Sequence, residues 1–142
     1  MRIGYTRADA ARASGAAANL YVEVTVAGAS LTYARCAVYR LSGSGWEQIA
    51  LTADQGTAWA TIGLKAMPVT LASAVNPGDE LYFAVLSTGT TIPTFRQATT
   101  SAVINIGALK RRANLTGQTI LPATINPATF ASQQGCTFMA LG

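Results

Sequence analysis

The sequence predicts an all-β chain folded into a single antiparallel β-sandwich of seven to nine short strands. Three observations point there. Apolar and polar residues alternate with a period of two in Leu20–Val26, the pattern of a half-buried strand. Turn-forming Gly, Pro, Asn and Asp recur roughly every 8 to 12 residues. No heptad pattern, internal repeat or long linker divides the 142 residues, which suffice for one domain with its own core.

The N-terminal segment has two readings. Thr6–Ala13 is alanine-rich with an acidic residue three positions after Thr6, a capping-box pattern. Gly15 stops it early, so it is either a marginal two-turn helix or a strand followed by an ordered loop. Residues 1–18 are accordingly set apart as a strand or arm, an anchor if a partner orders it, from a sandwich over residues 19–142.

From there the elements follow in order. In Leu20–Val26 the set Leu20, Val22, Val24 and Val26 falls on one face, with Tyr21, Glu23 and Thr25 on the other. Ala34–Leu41 and Trp46–Leu51 form a hairpin across Ser42-Gly43-Ser44-Gly45. Ala53–Gly56 is a turn, followed by strands at Thr57–Thr61 and Leu64–Val69. Pro68 places the second of these at an edge or strand end. Asn76-Pro77-Gly78-Asp79 is the clearest turn. The nearly continuous apolar run Glu80–Leu86 reads as a central strand, and Thr88–Pro93 as a loop leading to Thr94–Arg96. Residues 102–106 read as strand or loop alike. Pro122 and Pro127 exclude long regular elements before a closing strand at Cys136–Leu141.

Composition narrows the chemistry. The chain has no histidine and only six carboxylates, which removes the commonest proton-transfer group and metal ligand. Asp79 and Glu80 are adjacent, so in a strand they point to opposite faces and form no acid/base pair. Asp54 and Asp79 sit in turns, where a carboxylate caps its own backbone. No phosphate-binding, nucleophile-elbow or zinc-protease motif is present, and no metal or cofactor is expected. Cys36 and Cys136 have no redox or zinc spacing; they read as reduced, part-buried thiols or as a disulfide between an early and the last strand. No apolar run spans a bilayer, and the N-terminus lacks the apolar stretch of a signal peptide. Asn114-Leu115-Thr116 fits a glycosylation sequon by chance.

The net charge is +4. Arg2, Arg7 and Arg12 lie near the start, and Lys110-Arg111-Arg112 is the only basic cluster. Such residues are solvated strand ends or a contact for an acidic protein partner. Nucleic acid is disfavoured, because its binders show a wider basic face with interleaved aromatics. Trp46 and Trp59, with Tyr39 beside them, are either core packing or aromatic platforms for a sugar ring.

A resemblance enters at Asp54-Gln55-Gly56-Thr57-Ala58-Trp59, Gly63-Leu64-Lys65 and Pro68-Val69. It continues through Pro77–Leu86 and Gly89-Thr90-Thr91-Ile92-Pro93-Thr94-Phe95 to Gly117–Pro127. This pattern resembles a module of minor tail, fibre and other virion proteins of phages that infect actinobacteria. The resemblance covers residues 19–141 and implies a jelly-roll-like sandwich on a virion surface, made in the bacterial cytoplasm, with no catalytic residues to transfer. In longer virion chains the module is one part among several. Here it begins at a methionine and ends soon after its last strand, which suggests a small accessory protein or, equally, one domain of a fibre.

Two functional expectations follow. The first is a non-enzymatic capsid decoration protein that binds the major capsid protein as a symmetric oligomer, a trimer suiting icosahedral symmetry. Its partner-binding residues would be Arg2, Arg7, Arg12, Lys110, Arg111 and Arg112. The second is a tail-tip or fibre module that binds a host surface glycan through Tyr39, Trp46 and Trp59. A depolymerase has no pair of carboxylates to support it.

Overall fold

The computed structural model describes residues 1–43, 45–98, 112–129, 131–132, 136–137 and 139–142; the side chains of residues 5–7, 98, 112–114, 127 and 131–139 lie outside the description. The fold is all-β, with antiparallel sheets in a curled, sandwich-like arrangement. The long strands are β1 (Arg2–Arg7), β2 (Ala17–Val26), β3 (Ala29–Ser42), β4 (Gly45–Leu51), β5 (Gly63–Thr70) and β6 (Glu80–Thr91). Short ones follow: β7 (Thr94–Phe95), β8 (Gln97–Ala98), β9 (Arg112–Asn114), β10 (Thr124–Ile125), β11 (Ala131–Ser132), β12 (Cys136–Thr137) and β13 (Met139–Leu141).

A seven-stranded sheet runs β10-β4-β3-β6-β1-β9-β11, and a four-stranded sheet runs β13-β2-β5 with β7 also on β2. A small β12–β8 ladder stands beside them. Between the two large sheets lies the main core. β2 contributes Leu20, Val22 and Val24, β5 contributes Met67 and Val69, and β3 contributes Ala34, Cys36 and Val38. The period-two pattern of β2 thus buries the face expected of it. Val26 departs from the pattern: the register shifts after Val24, and Val26 is 54% exposed.

Every side chain from Leu81 to Leu86 is buried, because β6 is covered on both faces. Leu81, Phe83 and Val85 enter the inter-sheet core. Tyr82, Ala84 and Leu86 join Ile3, Tyr39 and Trp46 on the opposite face, under Leu121 and Ile125. A bulge between β3 and β4 pairs Val38 with Ala50 and Tyr39 with Gln48. Ile49 is the extra residue, so it and Ala50 both face the inter-sheet core.

The N-terminal segment forms a strand and an ordered loop, not a helix. β1 lies between β6 and β9 in the large sheet. The loop after it runs antiparallel to residues 71–79, through Ala8 N to Asp79 O at 3.0 Å, Arg12 N to Val75 O at 2.8 Å and Gly15 N to Leu71 O at 2.8 Å. β1 pairs with β6, and β2 with β5. A long two-stranded ribbon therefore passes from one sheet into the other.

Two expected elements differ. Thr57–Thr61 is a 3-10 turn at Ala58–Ala60, held by Trp59 N to Gln55 O at 2.9 Å; the turn, rather than a strand, drops the Trp59 ring into the core. Residues 88–91 continue β6, paired with the first residues of β3, so the loop is confined to Ile92 and Pro93. The 102–106 segment and the Lys110–Arg111 pair lie outside the described residues.

Candidate functional site

The turn signatures place core groups. Asp54 caps its turn by accepting from Ala34 N at 3.1 Å through Oδ2 and from Gly56 N at 2.9 Å through Oδ1. Trp59, fully buried, meets Phe95 edge-on with ring centroids 4.9 Å apart. Its carbonyl accepts from Gly28 N at 2.9 Å. Asp79 closes the Pro77–Gly78 turn by accepting from Asn76 N at 2.9 Å. The distant motif segments therefore meet through Trp59 and Phe95, and both acids in turns serve the backbone as expected.

The three aromatic candidates lie in the interior. Tyr39 and Trp59 have no accessible surface, and Trp46 has 1%. Trp46 stacks on Tyr82 at a 3.4 Å centroid separation and 18° between planes. Tyr39 Oη donates to Pro122 O at 2.7 Å, and Gln48 Nε2 donates to Tyr39 Oη at 3.3 Å. Burial pushes the phenol up to about 12, against the smaller pull of the Gln48 hydrogen bond. A ring enclosed on both faces offers no platform to a pyranose, so packing is the role these residues have in this fold.

The basic candidates come together only in part. Pairing of β1 with β9 sets Arg2 opposite Asn114 and Gly4 opposite Arg112, so the two ends of the basic sequence share one ladder. Arg12 lies apart, bridged to Val75 in the crossover loop. The side chains of Arg7 and Arg112 fall outside the description. Beside Arg2 opens a cavity of about 220 Å³, walled by Met1, Ser87, Ile92, Pro93 and Phe95 among others. The Met1 amino group donates to Leu115 O at 3.1 Å; burial first, and then the Arg2 charge, lowers its pKa.

A surface that sequence reasoning missed is the outer face of the four-stranded sheet. Leu64 stands there opposite Glu23 and is 69% exposed, with Ile62 at 68% just before the strand. Glu23 and Arg96 form a two-point ion pair, Nε to Oε2 at 3.0 Å and Nη2 to Oε1 at 2.8 Å. The hydrogen bond from Arg96 is the main cause that holds the Glu23 carboxyl below its usual range. Alternation marked Glu23 as outward-facing, but nothing in the sequence signalled its partner 73 residues away.

Cys36 is a free, fully buried thiol, and burial raises its pKa. Among the described residues, no group of three or more Cys, Asp or Glu side chains could hold a metal ion. No helix among them is long and apolar enough to cross a membrane. Comparison with protein-family models, with curated proteins and with solved structures finds no match for this chain.

Proposed function

We propose that this chain is a non-enzymatic structural protein of a bacteriophage particle, a capsid decoration protein that binds the assembled shell as a symmetric oligomer. The observation that carries the reading is the Trp59–Phe95 contact. It joins the two stretches whose sequence resembles the virion module, so the resemblance rests on residues that pack against each other. The ribbon in which β1–β2 pairs with β5–β6 across both sheets supports the jelly-roll-like form of that module. The glycan-binding alternative loses its support, because Tyr39, Trp46 and Trp59 are all core residues.

On this reading Arg2, Arg7, Arg12 and Lys110–Arg112 contact an acidic patch of the major capsid protein, and the protein resides on the particle surface. Purified protein is mixed with emptied actinobacteriophage heads that lack accessory proteins, then pelleted at low and high salt. Saturable binding that weakens with salt, and weakens further in an Arg2→Glu/Arg12→Glu variant, is expected. Protein that stays in the supernatant, or pellets only with tails, contradicts the reading.

A further inference from the structure

Among the described residues, the outer face of the four-stranded sheet carries exposed apolar side chains beside a single ion pair. From β5 it presents Leu64, Ala66 and Pro68, all exposed. β2 contributes Asn19, Tyr21 and Glu23, in register with Pro68, Ala66 and Leu64 respectively. Its charged members among the described residues are Glu23 and Arg96, which neutralise one another at 2.8 Å while their side chains stay 38% and 60% exposed. Lys65, of opposite alternation, has its amine folded back onto Thr61 Oγ1 at 2.8 Å.

The edge beside this face is closed to strand addition at one position. Asn19 exchanges both backbone bonds with Gly142, each 2.9 Å, so its β5 partner Pro68 is in a non-hydrogen-bonded pair. The proline nitrogen therefore points away from β2, toward the edge that no described strand pairs with, where it has no proton to donate. At that position docking would be face to face and not edge to edge.

We propose that a second copy of this chain docks on this face in a two-fold stack, with Leu64 patches in contact and each Arg96 set against the Glu23 of the other copy. Electrostatics favour self-association through this face. Two chains of net charge +4 repel, and the described charged side chains on this face, Glu23 and Arg96, balance one another. An adjacent acid and base are also their own complement under a two-fold axis. The inference deepens the virion reading and rests on it only for the oligomer's purpose; its unit is a dimer, not the trimer that shell symmetry suggests.

The test is sedimentation velocity on the full chain from about 1 to 100 µM, with circular dichroism confirming that each variant is folded. Wild type is expected to dimerise and Leu64→Glu to stay monomeric. Glu23→Arg and Arg96→Glu should each weaken association about tenfold or more. A 1:1 mixture of these two should associate again, because each copy then faces opposite charge. A monomeric wild type, a folded Leu64→Glu that dimerises like wild type, or a mixture no tighter than its components would overturn the proposal. Head binding scored in parallel separates the two ideas. Dimers that ignore heads remove the virion reading and leave this one, whereas head binding with an unaffected Leu64→Glu oligomer does the reverse.

Discussion

Burial raises the Tyr39 phenol to about 12 although Gln48 donates to its oxygen. An unfolded tyrosine ionises near 10, so between about 10 and 12 the unfolded chain has lost a proton that the folded one keeps. Stability from this group is whole below pH 10 and falls as pH rises through 12, by about 2–3 kcal/mol in all. Urea melts of wild type and Tyr39→Phe between pH 9 and 12 should converge as pH rises, since phenylalanine lacks this ionisation. Cys36 obeys the same physics: its thiol is held protonated by burial, and so should be unreactive. Labelling by a disulfide reagent is expected at the rate of unfolding, and rapid labelling of Cys36 in the native protein would contradict its burial. Gly89, at φ +151, has no room for a side chain: a Cβ would lie 2.5 Å from Ser30 O and 2.7 Å from Leu31 Cα. Both obstacles are backbone, so Gly89→Ala should cost about 2–4 kcal/mol in a denaturant melt.

The stretch from Leu115 to Ile125 covers the outer face of the large sheet without being regular structure for most of its length. Leu121 N donates to Tyr33 Oη at 3.0 Å, Gln48 N to Ala123 O at 2.8 Å, and β10 pairs with β4. Ile125 is 4% exposed and Ile120 60%. Ile125→Ala should therefore cost about 2–4 kcal/mol, and Ile120→Ala about 0.5 kcal/mol or less, by the same melts. Pro68 offers a contrasting test of the sheet edge. Pro68→Thr restores a free N–H on β5 and should promote aggregation, read by light scattering at constant fold. The strands that alternate cleanly, such as β2, were legible because one face is core and the other solvent. Ile49 and Val26 escaped that logic because register shifts reset the alternation beside them. The covering stretch was illegible for a different reason: its partners are a tyrosine and a glutamine 88 and 74 residues distant, and prolines hide any period.

Across the whole molecule, sequence-distant segments meet at several of the functional candidates among the described residues. β1 and β9 unite basic residues from both ends of the chain, and Glu23 meets Arg96 through the β2–β7 ladder. The neutral face could not be seen in the sequence, because neutrality there depends on that pairing. For the aromatic candidates the sequence favours core packing over a ligand platform, and the two-sided burial of the large sheet encloses them. The chain has no histidine and its turn carboxylates are engaged by backbone N–H groups; the role proposed for it is to bind neighbouring proteins through its surface. The proposed place of this chain on a bacteriophage shell is tested most directly by electron microscopy of intact actinobacteriophage particles. Sandwich-shaped density repeating at symmetric sites on the outside of the shell is the expected result; its absence from the shell, with the protein found elsewhere or outside the particle, would contradict it.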